Sequence, residues 1–243
     1  MIKMNKSNVI SVLIANYNYG KFIERSITSL INQTVEREKF EIIVVDDGSS
    51  DDSLEILSKF DGQLTLIKSE HLGLPEACNK GLNQCHGEYF IRLDSDDEFK
   101  EDFLENLLEI VENEKKFDFI IADRVERKNG FEKIVKIDLK NIYSFLSVGV
   151  LFKTEWVRKL GGYRNFYWEE HDLMLRYLRE HPKGKHLKRP EYVYYRHNSN
   201  MTGLSSKRIL GWKELLNEWK PSVLKKYGYD KELFEVIKNE DSI

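Results

Sequence analysis

Two cysteines in 243 residues, Cys78 and Cys85, make no disulfide framework. The expectation is therefore a reduced, cytoplasmic setting. An excess of one charge is also missing: Lys and Arg total 38 against 41 Asp and Glu, a formal net charge of −3. No global field then argues for nucleic acid or an acidic membrane as a partner. No apolar run approaches the roughly 18–20 residues needed to span a bilayer. The N-terminal "MIKMNKSNVISVLIANYN" has a short apolar stretch with no small-residue cleavage site behind it, so it reads as a first strand rather than a signal peptide. Internal repeats and low-complexity segments are absent too. What remains is a chain long enough for one large α/β domain or two small ones, with an ordinary apolar share.

The pattern that is present is alternation. "VISVLIA" is apolar throughout, as expected of a strand covered on both faces, and "KFIERSITSLINQ" after it has helical spacing. "FEIIVVDD" predicts a second buried strand, with a helix beginning in "DDSLEILSKF". "LTLIKS" predicts a third strand, and "PEACNKGLNQC" a helix opened by Pro75. "EYFIRLD" is a fourth strand, "EDFLENLLEIVEN" an amphipathic helix, and "FDFIIAD" a fifth strand. Strand and helix thus alternate to about residue 123, which predicts βαβ units and a mostly parallel, Rossmann-like sheet with helices on both faces. Beyond that point, "RVERKNGFEKIVKI" predicts a hairpin turning near Asn129-Gly130. "VGVLFKTEWVRKLGGY" mixes a strand and a short helix. "EEHDLMLRYLREH" is a helix with Leu173, Leu175, Tyr177 and Leu178 packing inward, and "YVYYRH" is a late strand. From Ser205 the chain reads as helical, with Trp212, Leu215, Leu216 and Trp219 on one side and a break at Pro221. This tail is an appendage on the domain or a surface for a partner or membrane.

Ligands of parallel sheets bind at the carboxyl ends of the strands. The polar clusters "NYNYG", "DDGSSDD", "SEHLG" and "DSDDE" all fall at those ends. Asp94, Asp96, Asp97 and Glu98 crowd the end of the fourth strand and repel one another unless a cation or a donor-rich ligand sits among them. Hard divalent ions prefer carboxylate oxygens, and diphosphate oxygens often complete their shell. A solvated acidic turn is the plain alternative. A calcium loop is excluded, because Phe99 stands where an EF-hand needs glycine and a strand precedes it. At the second strand end, Gly48 permits a sharp turn and Ser50 or Asp51 suits a helix cap, which leaves Asp46-Asp47 unexplained. Glu169, Glu170 and Asp172 read equally as an acidic first helical turn.

Taken in order, "VISVLIANYNYGKFIERSITSLINQT", "FEIIVVDDGSSDDS", "GLPEACNKGL", "GEYFIRLDSDDEF", "LGGY…EEHDLMLR" and "YYRHNSNMT" resemble a family 2 glycosyltransferase of the GT-A fold, from Val9 to Thr202. The resemblance implies an inverting enzyme that moves a sugar from a nucleotide-diphosphate donor, with a UDP-sugar favoured, to an acceptor hydroxyl. By motif position, Ala15 and Tyr17 meet the nucleotide, Asp47 the base N–H, and Asn79 and Ser95 the donor. Asp94 meets the ribose or the metal shell, Asp96 ligates Mn²⁺ or Mg²⁺, and His197 joins the metal. Glu170 occupies the place of the catalytic base, where aspartate is usual. Cys78 stands where the family often has arginine, so the diphosphate would rely on the metal and on other cations such as Arg176 or Arg196.

The same resemblance divides the chain into a transferase domain, 1–204, and a helical extension, 205–243. The first part has a nucleotide-binding half to about 123 and an acceptor-side half from about 124. The acceptor class it implies is a glycan or lipid-linked glycan of the cell surface, reached from the cytoplasmic face, with the C-terminal helices as the place for peripheral membrane contact. Two rivals remain. A nucleotidyltransferase making a nucleotide sugar would carry a glycine-rich basic loop that "ANYNYGKF" lacks. A non-catalytic nucleotide-sugar-binding module would not need Asp96 and Glu170.

Overall fold

Alternate side chains of each buried strand feed two cores, which is why the strands read as continuous apolar runs. Leu13, Ile43, Val45 and Phe90 point to one face of the sheet, and Val12, Ile14, Ile42, Val44 and Ile91 to the other. The structure is a computed structural model that describes residues 9–114, 116–141, 148–197, 200 and 205–227. Met201 and Thr202, the boundary at 204 and the tail after Tyr227 lie outside the described residues.

The first strands and helices follow the expected alternation: β1 (Ile10–Asn16), α1 (Gly20–Ile31), β2 (Phe40–Asp46), α2 (Ser53–Ser58), β3 (Thr65–Lys68), α3 (Leu74–Gln84) and β4 (Tyr89–Arg92). There follow β5 (Glu98–Phe99), α4 (Phe103–Asn113), β6 (Phe119–Lys128), β7 (Phe131–Val135), β8 (Val150–Lys153), α5 (Thr154–Lys159), α6 (Glu169–Glu180), β9 (Gly184–Tyr195), α7 (Ser205–Glu218) and α8 (Pro221–Lys226). The four strands β3-β2-β1-β4 are parallel, and α1, α2 and α4 pack on one face while α3, α5, α6 and α7 pack on the other. The fold class expected from the sequence is therefore found.

Past β4 the sheet becomes mixed. The expected fifth strand, β6, does not lie beside β4; β8 enters between them, antiparallel to both. β9 then runs parallel to β6, and β5 closes the far edge. The predicted hairpin is β6–β7, whose turn residues Asn129 and Gly130 both have positive φ (50° and 81°), the geometry this dipeptide favours. β9 extends well before "YVYYRH", because its first half pairs with β6 although its sequence, "GKHLKRP", is polar. The helix α6 buries Leu173, Leu175, Tyr177 and Leu178 as expected. Among the described residues, no helix is long and apolar enough to cross a membrane.

Candidate active site

The carboxyl ends of β1, β2 and β4, the first turn of α6 and the segment after β9 enclose a cavity of about 460 Å³. Of the predicted site residues, Ala15, Tyr17, Asp47, Asp94, Ser95, Asp96 and Glu170 line it. His197 stands beside it, with Nε2 2.8 Å from Asp96 Oδ2. Asn79 has a different place: its amide donates to the Tyr163 carbonyl and accepts the Tyr163 N–H, both at 2.8 Å, so it clasps the turn before α6 instead of lining the cavity.

At the acidic corner, Ser95 Oγ donates to the Ala15 carbonyl at 2.7 Å, tying the turn after β4 to β1. From α1, Arg25 donates to the Asp96 carbonyl and Ser26 to that of Asp94. The backbone is thereby fixed while the carboxylates converge: ligand oxygens of Asp94, Asp96 and Asp97 all lie within 4.8 Å of one another. Asp97 is fully buried and committed, accepting from the Tyr192 hydroxyl and the Tyr195 N–H. Asp96 holds His197 and the Asn200 amide. Burial, and then Asp94, push the Asp96 carboxyl up; burial and both neighbouring aspartates push Asp97 well up. Such a set, with too little positive charge of its own, could hold a hard divalent cation among Asp94, Asp96 and Asp97.

The second acidic corner is the first turn of α6. Glu169 is buried and takes Arg92 Nη1 at 2.9 Å, while Arg92 Nη2 reaches Asp94 Oδ1 at 2.8 Å. Glu170 has His171 Nδ1 at 3.3 Å, close enough for charge attraction though not aligned as a hydrogen bond. The two glutamates titrate as a pair. Burial and the nearby Glu170 push Glu169 well up despite Arg92. Burial alone would raise Glu170 too, but His171 and Arg92 outweigh it and hold it below the ordinary range. Both glutamates line the cavity, and Glu170 is the one whose surroundings favour the carboxylate, the form a general base needs. Asp172, by contrast, is fully buried and accepts from Arg164, Arg176 and the Trp219 indole, so it fastens α6 to its surroundings.

At the opposite end, both Asp47 oxygens accept backbone N–H groups, from Leu72 at 3.1 Å and Gly73 at 2.8 Å. Tyr17 stacks on the His71 imidazole, with ring centroids 3.9 Å apart and planes at 16°. The His71 Nδ1 lies 3.2 Å from Asp47 Oδ2. Gly48 makes this approach feasible: its φ is 79°, and a Cβ there would meet the His71 backbone nitrogen at 3.0 Å.

Arg92 is the residue that sequence reasoning missed. Its signal was an arginine inside the apolar run "YFIRL", where a lone charge requires a buried partner. Cys78 is buried in the core under the cavity, and Arg92 on β4 lines the cavity. The two cations expected to serve instead are occupied elsewhere. Arg176 binds Asp172 and the carbonyls of Leu160 and Gly162, and Arg196 binds Glu126 away from the cavity. Of the aromatic group before α6, Tyr167 and Trp168 line the cavity and Tyr163 lies buried under the Arg92 guanidinium.

The model of the family described as Glycosyl transferase family 2 matches residues 11–174, which run from β1 into α6 and take in both acidic corners. The putative glycosyltransferase EpsH of Bacillus subtilis is 31% identical over 166 residues, 66% of this chain and 46% of that protein. The poly(ribitol-phosphate) beta-N-acetylglucosaminyltransferase TarP of Staphylococcus aureus is 32% identical over 165 residues, 62% of this chain and 50% of TarP. Across the first curated relatives, the match covers between 34% and 46% of their length. Among solved structures, residues 1–349 of S. aureus TarS in complex with UDP-GlcNAc superpose with a TM-score of 0.71 at 21% identity, covering 86% of this chain and 67% of that one. The mannosyltransferase PcManGT from Pyrobaculum calidifontis, in complex with GDP-Man and Mn²⁺, gives 0.68 at 17% identity, covering 95% and 71%. At those identities the likeness is one of fold.

Proposed function

Because the chain belongs to glycosyl transferase family 2, we propose that its cavity binds a nucleotide-diphosphate sugar, with a UDP-sugar favoured, and transfers the sugar with inversion to an acceptor hydroxyl. The observation that carries this reading is the pairing, in one cavity, of an under-neutralised aspartate cluster with a glutamate kept ionised. The UDP-GlcNAc and the GDP-Man with Mn²⁺ held by two proteins of the same fold support the donor class.

Asp94, Asp96 and His197 would hold Mn²⁺ or Mg²⁺, which as a Lewis acid offsets the charge that develops on a departing diphosphate. Glu170 takes the acceptor proton as the hydroxyl oxygen attacks the anomeric carbon, and the nucleoside diphosphate leaves from the opposite face. Its extra methylene relative to aspartate moves the carboxylate further from the α6 backbone, so the acceptor oxygen sits correspondingly further out. Arg92 holds Glu169 and Asp94 at fixed spacing, which keeps the base wall and the metal corner in register. Tyr17 offers its ring to the base and Asp47 its carboxylate to a base N–H. Tyr167 and Trp168 wall the side on which a glycan or lipid-linked glycan acceptor would approach.

The test is a thermal-shift panel of UDP-, GDP-, dTDP- and CDP-sugars with Mn²⁺ or EDTA, on the wild type and Asp96→Ala. A rise in melting temperature with one nucleotide class, lost with EDTA and in Asp96→Ala, is the expected result. Equal shifts with and without the metal would remove the metal-bridged donor site. No shift with any nucleotide would remove the donor reading itself.

A further inference from the structure

We propose that the β6–β7 hairpin is a docking element for an anionic lipid surface. Three of the six large apolar side chains exposed among the described residues fall within nine positions: Phe131 at 81%, Ile134 at 58% and Leu139 at 37%. Phe131 directly follows the Asn129-Gly130 turn and pairs with Lys128, one position beyond Arg127, where β9 stops pairing with β6. Among the described residues β7 pairs only with β6, and all of its residues but the last are exposed.

Charge around those side chains is lopsided. Residues 124–141 carry six basic and three acidic side chains in a chain whose net charge is −3. The acids near the turn are spent internally: Glu126 on Arg124 and Arg196, and Glu132 on Arg127. Among the described residues, no carboxylate pairs with Lys128, Lys133 or Lys136. Lysines on an edge strand also guard against strand pairing, which accounts for them but not for an exposed Phe and Ile among them. Exposed apolar side chains on an edge strand, interspersed with lysines that no carboxylate pairs among the described residues, match a surface with negative headgroups above an apolar layer.

The tail expected to make such a contact is differently employed. Trp212 and Trp219 are 7% and 8% exposed, Trp212 packs on Trp168 and His171, and Glu214 and Glu218 accept from Tyr167 N–H and Arg164. Of the large apolar side chains described on α7, Leu210 is the one exposed. The hairpin turn also borders the metal corner, because Arg127 to Gly130 share a small cavity with His197. Docking through the hairpin would therefore bring the cavity to the lipid surface.

Vesicle flotation of the full chain, with neither donor nor acceptor, tests this independently of the transfer reading. Phosphatidylglycerol/phosphatidylethanolamine vesicles at about 0.1 M salt should bind the wild type at least tenfold better than phosphatidylcholine vesicles. The triple change Lys128→Glu, Lys133→Glu, Lys136→Glu should lower that binding by about tenfold or more. Phe131→Ser with Ile134→Ser should cost about tenfold. Both variants alter exposed side chains, so their melting temperatures should match the wild type. Phe131→Trp should give an emission that shifts to the blue with the anionic vesicles and is quenched by brominated lipid. Wild-type binding without preference for phosphatidylglycerol would overturn the proposal. So would hairpin variants that bind like the wild type, loss of binding in Leu210→Ser alone, or an emission from Phe131→Trp that does not shift.

Discussion

Two acidic corners share one cavity and handle their charge in different ways. In the first turn of α6, each carboxylate has a cation or imidazole supplied by the chain: Arg92 for Glu169, His171 for Glu170, and Arg164 with Arg176 for Asp172. After β4, three aspartates converge on part of Arg92, one histidine, one amide, a hydroxyl and a backbone N–H. The first corner balances itself within the fold. The second is left in deficit, and a deficit fixed by backbone bonds from α1 is a standing demand for an external cation. Acid content alone would not separate them; the partners do.

The sharpest way to test the self-balanced corner is to remove the charge of Glu170, the cavity-lining carboxylate that Arg92 does not bind. Glu170→Gln keeps shape and burial but cannot accept a proton. Transfer should fall by about 10²–10⁴ in kcat, with donor affinity unchanged in a nucleotide titration. A kcat within threefold of the wild type would take the base role away from Glu170 and leave it as one more balanced carboxylate.

Breaking the balance itself calls for Arg92→Met. It strips Glu169 and Asp94 of their shared partner and turns one corner into a copy of the other. Leaving a buried carboxylate unpaired should cost about 3–5 kcal/mol in urea unfolding. Adding Glu169→Gln to the same chain should recover more than half of that loss. If the double variant is no more stable than Arg92→Met alone, the balance described here is not what Arg92 provides.

Much of this was legible in the sequence because it is local. Strand ends show as apolar runs breaking into polar clusters, Asn129-Gly130 shows its turn, and six ordered segments, among them those with Asp94, Asp96 and Glu170, carry the resemblance. The parts that escaped are encounters between distant segments. Arg92 and Glu169 lie 77 positions apart, and Asn79 and Tyr163 lie 84 apart. Nothing near "YFIR" says which acid its arginine will meet, and nothing near Asn79 says that its amide will be used up on a turn. The same holds for β8, which enters between β4 and β6 although it follows the hairpin in the chain, and for the polar start of β9. Charge partners that lie far apart in sequence decide which acids are structural and which are available, so that division had to wait for the fold.

The deficit corner can be sharpened by lowering its charge. Asp97→Asn can keep both contacts, its oxygen accepting the Tyr195 N–H and its amide donating to the Tyr192 hydroxyl. Asp96 and Asp97 are raised in the folded state above an ordinary value of 3.8. The fold therefore binds more protons than the unfolded chain over that interval. Stability of the metal-free protein then falls as pH rises from about 4 through the raised values. Asp97→Asn should soften that fall and raise the metal-free melting temperature at neutral pH by about 2–4 °C. It should also reduce the further rise given by Mn²⁺. A variant that melts lower at neutral pH without metal, and gains as much from Mn²⁺ as the wild type, would show that the corner carries no charge deficit.

The smallest effect concerns a third carboxylate, Asp47, which is satisfied in another manner again: two backbone N–H groups and the edge of His71 take its oxygens while His71 fills the face of Tyr17. An imidazole stacked at 3.9 Å and directed at a carboxylate does what a nucleobase would do in the same slot. A nucleotide using Tyr17 and Asp47 must then displace it. A stacked pair is worth about 0.5–1.5 kcal/mol, so His71→Ala should tighten UDP binding by about three- to tenfold in calorimetry. Tyr17→Ala in the same background should abolish that gain, because the face being freed is its own. Weaker binding in His71→Ala would mean instead that the imidazole stays and holds the base. The loop after β3 would then be part of the donor site rather than its occupant.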